Sequence, residues 1–175
     1  MSPMDATMER CVGCGAEVPR SNGPTHRYML SAPGCWALYG EVLARVLADP
    51  TAEGLRRRCA DAFAVQHPGI PGPQAIQSVA GHLMSLYAQY ELGQSPVRAH
   101  EAIAIVVRQE HLLRWLTPPT FEGHVVVRDV AARLDTLNEA VDTWARSAWQ
   151  AWLPWHEQIR DWYRTIQSLR ARSRT

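Results

Sequence analysis

The chain has 175 residues, of which 46% are hydrophobic and 20% charged. That length suits one domain with a real core, and that composition excludes an intrinsically disordered chain. The formal net charge of +1 leaves no global basic field of the kind that draws nucleic acid.

The first stretch, 1–31, is punctuated by Pro19, Gly23 and Pro24 and reads as a loop-like cap on a helical bundle spanning 33–172. It opens without the charged-then-apolar pattern of a signal peptide, and no apolar run approaches the roughly 20 residues of a membrane span. A cytoplasmic chain with reduced cysteines is therefore expected. Pro33 suits the first turn of a helix carrying Trp36, Tyr39, Leu43, Val46 and Leu47, which Asp49-Pro50 stops. Thr51 is placed to cap a second helix bearing Leu55, Cys59, Ala62 and Phe63, which ends at His67-Pro68-Gly69. A third starts near Pro73, presents Ile76, Val79, Ala80, Leu83, Leu86, Tyr87 and Tyr90, and ends at Gly93.

Ser95-Pro96 opens a fourth helix through Ile103, Val106, Val107, Leu113 and Leu116, closed by Thr117-Pro118-Pro119. The run Val125–Val127 reads as loop or one short strand. Asp129 caps the longest helix, whose seam is Val130, Leu134, Leu137, Val141, Trp144, Ala148 and Trp152. Pro154 kinks or restarts it before a last helix with Trp155, Ile159, Trp162, Ile166 and Leu169. The expected fold is all-α: one bundle of about five or six helices under a cysteine-rich, metal-bound N-terminal segment. The basic tail, Arg164, Arg170, Arg172 and Arg174, reads as a solvated helix end.

The chemistry points to Cys11-Val-Gly-Cys14-Gly. Two thiolates three positions apart on a tight turn can share one ion, and sulfur ligands favour Zn²⁺ over Mg²⁺ or Ca²⁺. Two sulfurs leave tetrahedral zinc half-coordinated. Cys35, in the first helical turn where the helix dipole favours its thiolate, is the expected third ligand. His26 is ranked first as the fourth by proximity in sequence, with His67 or His82 as alternatives. Closure by His26 would leave His67, His82 and Asp61 to line a separate pocket. Closure by His67 or His82 would set the metal between cap and bundle, where catalysis is easier to build. A redox dithiol is the weaker reading, because such a pair normally follows a strand and none is expected before Cys11.

His67 and His82 end and interrupt neighbouring helices, and with Asp61 they are the catalytic candidates. As a lone helical acid, Asp61 is more often solvated. His156 is placed at the Pro154 kink, where it can reach the interior. His100, His111 and His124 read as surface or boundary residues. The seven tryptophans are mainly core. No Walker loop, G-x-G-x-x-G, G-x-S-x-G or H-E-x-x-H occurs.

The segments C-V-G-C-G-A, G-P-T-H-R-Y-M, A-P-G-C-W-A-L-Y-G-E, D-A-F-A-V-Q-H-P-G and A-I-Q-S-V-A-G-H-L-M-S-L together resemble a bacterial family of uncharacterised proteins. The later W-A-R-S-A-W-Q-A-W-L-P-W-H segment fits it too, so the resemblance covers nearly the whole chain. It implies that Cys11, Cys14, His26, Cys35, His67 and His82 belong to one functional group, and it supplies no reaction. Members often carry histidines where this chain has Ala140 and Trp155. A looser likeness is to metal-dependent helical bundles that transfer thiols or open small rings, holding one metal on three histidines. Two functions follow as expectations. One is a zinc-binding helical protein whose partner is a small molecule or a protein. The other is a metal-dependent hydrolase or thiol transferase with a histidine-lined pocket.

Overall fold

The computed structural model describes residues 7–101, 104 and 107–172. Ile103, Val106 and Arg174, assigned above to helical faces and tail, lie outside the described residues. The described chain is mostly helical, as its periodicity predicts. It adds one element that the Gly- and Pro-rich opening hides. Strands β1 (Met8–Arg10) and β2 (Glu17–Pro19) pair antiparallel, with Glu9 opposite Val18. A strand thus does precede Cys11, contrary to expectation. Strands of three residues are too short for alternation to register.

Helix α1 (Pro33–Leu47) starts at the proline that the sequence singles out. Helix α2 (Glu53–Gln66) is not capped by Thr51. The Thr51 hydroxyl and N–H instead both donate to Asp49 Oδ1, and that local turn competes with capping. Helix α3 (Pro73–Tyr90) and the short helix α4 (Pro96–Glu101) follow, with the Arg98 N–H donating to Ser95 Oγ at the start of α4. A 3₁₀ turn spans Val107–Leu112.

The longest predicted helix is in fact two. Helix α5 (Val127–Ala131) begins inside the expected strand. Asp129 sits within its first turn, and its carboxylate accepts from the Val126 N–H at 2.9 Å. The chain leaves helical geometry at Arg133 and passes a 3₁₀ turn, Leu134–Thr136, before α6 (Leu137–Ala151). Asp135 and Thr136 are poor helix formers, and the break lets both helices keep the same apolar seam. Pro154 lies in a 3₁₀ turn, and α7 (His156–Arg172) restarts after it.

Helix α2 is the spine. It packs against α1, α3, α4 and α6, while α1 also meets α5 and α3 meets α7. Its last six residues are all buried, among them Phe63 and Gln66. Trp144 and Trp152 of the tryptophan-rich end are fully buried and tied to it. Trp144 Nε1–H donates to Gln66 Oε1 at 2.8 Å, and Trp152 Nε1–H donates to the Val65 carbonyl at 3.1 Å. A ring N–H that deep must find an acceptor, and the end of α2 provides both.

Candidate metal centre

The β1–β2 connection is a knuckle. Gly15 N–H donates to the Cys11 carbonyl at 2.9 Å and Cys11 N–H to the Ala16 carbonyl at 2.8 Å, with Gly15 at a φ of +74°. That closes the turn with both sulfurs on its inner side. Glu9 ties the hairpin to α1 by accepting from the Gly34 N–H at 3.2 Å, a carboxylate at the positive end of a helix. Gly34 allows the approach, because a Cβ there would fall 1.9 Å from the Pro19 carbonyl oxygen. The first turn of α1 thereby brings Cys35 up to the knuckle.

The fourth member comes from α2. His67 is its C-terminal cap and is fully buried. Its Nδ1–H donates to the Phe63 carbonyl at 2.7 Å and its ring stacks on Phe63, with centroids 3.9 Å apart. That bond turns Nε2 toward the sulfurs, where loss of its proton to an incoming ion would give the tautomer that a metal-binding histidine needs. Cys11, Cys14, Cys35 and His67 are all buried, and one ligand atom from each lies within 4.8 Å of every other. Cys14 Sγ is 3.8 Å from Cys35 Sγ, while His67 Nε2 is 3.5 Å from Cys11 Sγ and 3.4 Å from Cys35 Sγ.

A tetrahedral zinc with Zn–S of about 2.3 Å and Zn–N of about 2.0–2.1 Å separates its sulfurs by about 3.8 Å and each sulfur from nitrogen by about 3.6 Å. The Cys14–Cys35 separation matches the first, the two Cys–His67 separations lie near the second, and the remaining pairs stay within 4.8 Å. It could hold a metal ion, and the donor set of three sulfurs and one imidazole suits a soft or borderline one. The protons show the same convergence. Hydrogen bonds from Cys14 and Cys35, and then the His67 ring, hold Cys11 well below the usual thiol range. Hydrogen bonding to Cys11 and Cys14 pushes Cys35 well above it, so Cys11 is the thiolate that its neighbours serve. Burial opposes a charge on His67, but the sulfurs of Cys11 and Cys14 outweigh it and raise the ring to about 9. The Ala32 N–H also donates to Cys11 Sγ at 3.4 Å.

His26 is not in this group. It is half-buried, its ring packs edge-on to Tyr28 and Trp36, and its Nδ1 accepts from the Tyr28 N–H at 3.4 Å. Proximity in sequence misleads because the turn after α2 folds back on the knuckle. Gly69, at a φ of +79°, would place a Cβ 2.1 Å from the Tyr28 carbonyl oxygen. His82 is also elsewhere. Its Nδ1–H donates to Asp61 Oδ1 at 2.7 Å, and Asp61 is fully buried rather than solvated. Ser85 and Gln89 also hold Asp61, and His100 stands half-buried beside it; the sequence reading missed these three as its partners. The available signal was the polar stripe His82, Ser85, Gln89 at helical spacing within an apolar face. His156 reaches the interior, stacked on Trp149 with centroids 3.6 Å apart. His124 Nδ1 meets Ser147 Oγ at 3.2 Å, and His111 is exposed.

No described helix is long and apolar enough to cross a membrane. Neither the curated proteins nor the solved structures yield a match to the chain. The model of a family of unknown function, DUF5946, matches residues 9–153. With that match over most of its length, and with every member of the Cys₃His group inside it, the chain belongs to the DUF5946 family of unknown function.

Proposed function

We propose that this is a zinc-binding helical protein whose single Zn²⁺ is held by Cys11, Cys14, Cys35 and His67 and staples the β-hairpin to α1 and α2. The observation that carries this reading is the agreement of the 3.4, 3.5 and 3.8 Å donor separations with the edges of a zinc tetrahedron. The ion would replace the protons now shared among the sulfurs. It would also bring the fixed charge that this buried cluster of thiolates calls for.

The role is structural. Four protein donors, all buried, complete a tetrahedron and leave no position for water or substrate. A metal-dependent hydrolase or thiol transferase needs that open position, so this centre does not suit it. The stapled bundle would serve a small-molecule or protein partner, in a reducing compartment such as the cytoplasm.

The test is metal content across single variants. Wild type should purify with about one zinc per chain. Cys35→Ser and His67→Ala should lose it, and His26→Ala should keep it. Full zinc in His67→Ala would overturn the ligand set, and chelator-naive wild type without metal would overturn the reading.

A further inference from the structure

A second polar centre lies where α2, α3 and α4 meet, and the metal makes no use of it. Asp61 of α2 is fully buried, and its two oxygens accept from three side chains of one α3 stripe. Oδ1 takes His82 Nδ1–H at 2.7 Å, and Oδ2 takes Ser85 Oγ–H at 2.8 Å and Gln89 Nε2–H at 2.7 Å. His100 of α4 stands close by, its Nδ1 4.0 Å from Asp61 Oδ1 and its ring 6.1 Å from that of His82.

The polar groups there are not all satisfied. The bond to Asp61 puts the His82 proton on Nδ1 and leaves Nε2 as a lone pair on the far side of the ring. That side chain stays 17% exposed. His100 Nδ1 and Arg57 Nε are both buried with no hydrogen-bond partner among the described residues. Arg57 lies one helical turn before Asp61 on α2, so it faces the same junction. Burial lowers the affinity of His100 for a proton, and after the pull of Asp61 the charges of Arg57, His82 and Arg56 also act on it. The surrounding charges are Arg56, Arg57 and Arg58 with Glu53 from α2, and Asp142 from α6 paired with Arg58 at 3.0 Å. Arg57 Nη2 pairs with Glu53 at 2.8 Å, yet its Nε–H and His100 Nδ1 are left without a partner among the described residues, which a tie built only for stability does not require.

We propose that Arg57, His82 and His100 form a binding site for a small oxyanion, a free phosphate or a carboxylate, with Asp61 as the positioning residue that orients His82. Arg57 Nε–H and the N–H form of His100 supply donors aimed at an acceptor that the protein itself does not provide. His82 Nε2 takes up a proton as the anion enters. Asp61 behind it balances the resulting imidazolium, and Arg57 is shared between Glu53 and the oxyanion. This site rests on none of the metal ligands.

The test uses the full zinc-loaded chain, inorganic phosphate and acetate as separate probes, and long-range ¹H–¹⁵N imidazole spectra near pH 6.5, about the ordinary histidine value. His82 should appear as the Nδ1–H tautomer. The His82 and His100 resonances should shift saturably with one or both ions while His26 and His111 hold still. Saturation by phosphate alone, or by acetate alone, identifies the source. Arg57→Gln, at a part-exposed position, should keep its zinc and weaken binding at least tenfold. Asp61→Asn should redistribute the His82 tautomers. The proposal is overturned if neither ion gives a saturable shift at tens of millimolar, if chloride at equal ionic strength gives the same shift, or if Arg57→Gln binds as wild type does. Zinc content, read in parallel, keeps the fate of this site separate from that of the metal centre.

Discussion

Gly13→Ala probes the candidate metal centre without replacing any of its four proposed ligands. Gly13 sits between the two knuckle cysteines, and a Cβ built there lands 2.5 Å from His67 Cδ2 and 2.3 Å from the Leu30 carbonyl oxygen. Real Cβ contacts essentially never fall below 3.0 Å, so the imidazole must retreat by about half an ångström even to reach that limit. His67 cannot simply swing away, because Nδ1 is bonded to Phe63 and the ring is fully buried. Zinc–ligand distances tolerate about 0.2 Å, so the fourth bond is strained or lost. The expected result is a fall in zinc affinity of at least tenfold, about 1.4 kcal/mol, in competition with a chromophoric chelator. Gly40→Ala is the control. That exposed position in α1 has nothing within 4 Å of the new methyl, and alanine there should raise stability by about 1 kcal/mol without changing zinc affinity. Wild-type zinc affinity in Gly13→Ala would refute the placement of His67 against the knuckle.

Three further outcomes are expected. Gln66→Leu strands Trp144 Nε1–H and the Val125 carbonyl, both now bonded to Gln66 at 2.8 Å, and should cost about 2–4 kcal/mol in urea unfolding. His156 is lowered by burial, though the Trp149 carbonyl and Glu91 pull the other way, so its neutral form is favoured in the folded chain. The stability it contributes is present above its unfolded value of about 6.5 and is lost as pH falls through the lower folded value. The fall in stability between about pH 7 and 5 should therefore shrink in His156→Phe. Chelation of the metal should lower the midpoint of thermal unfolding and speed amide exchange at Cys11, Gly15 and Ala32, while the Trp144 end of α6 stays protected.

Helix content was legible because the apolar spacing is long and bounded by proline, as at Pro33 and Pro73. What escaped was set by contacts distant in sequence or by elements too short to have a period. The β1–β2 hairpin has three residues per strand. The break at Arg133 falls inside an unbroken apolar seam, so periodicity alone runs straight through it. Cys11, Cys14 and Cys35 stand out as residue types, yet the choice between His26 and His67 depends on how the Gly69 turn packs on Tyr28, which no local pattern encodes. Asp61 looked solvated because its three partners lie on the next helix, where only their joint spacing marks them.

Helix α2 explains why the Cys₃His group stands at this end of the molecule. Its first half is polar and carries Arg56, Arg57 and Arg58, and its last six residues are all buried. The buried end must stop inside the protein, where unsatisfied carbonyls and a C-terminal partial negative charge are costly. The chain meets that demand with side chains. The Phe63 carbonyl accepts from His67 Nδ1–H, the Val65 carbonyl from Trp152 Nε1–H, and the Ala64 carbonyl from the His67 N–H. The same arrangement locks His67 in one rotamer with Nε2 aimed at the knuckle. The hairpin itself buries little beyond Val18 and Ala16, too little apolar surface to hold it in place by packing alone. A metal ion held by the Cys₃His group, as proposed, would supply the missing attachment between the hairpin and the end of α2. His67 answers both requirements: its ring and N–H terminate the helix, and under the proposed zinc reading its Nε2 anchors the hairpin.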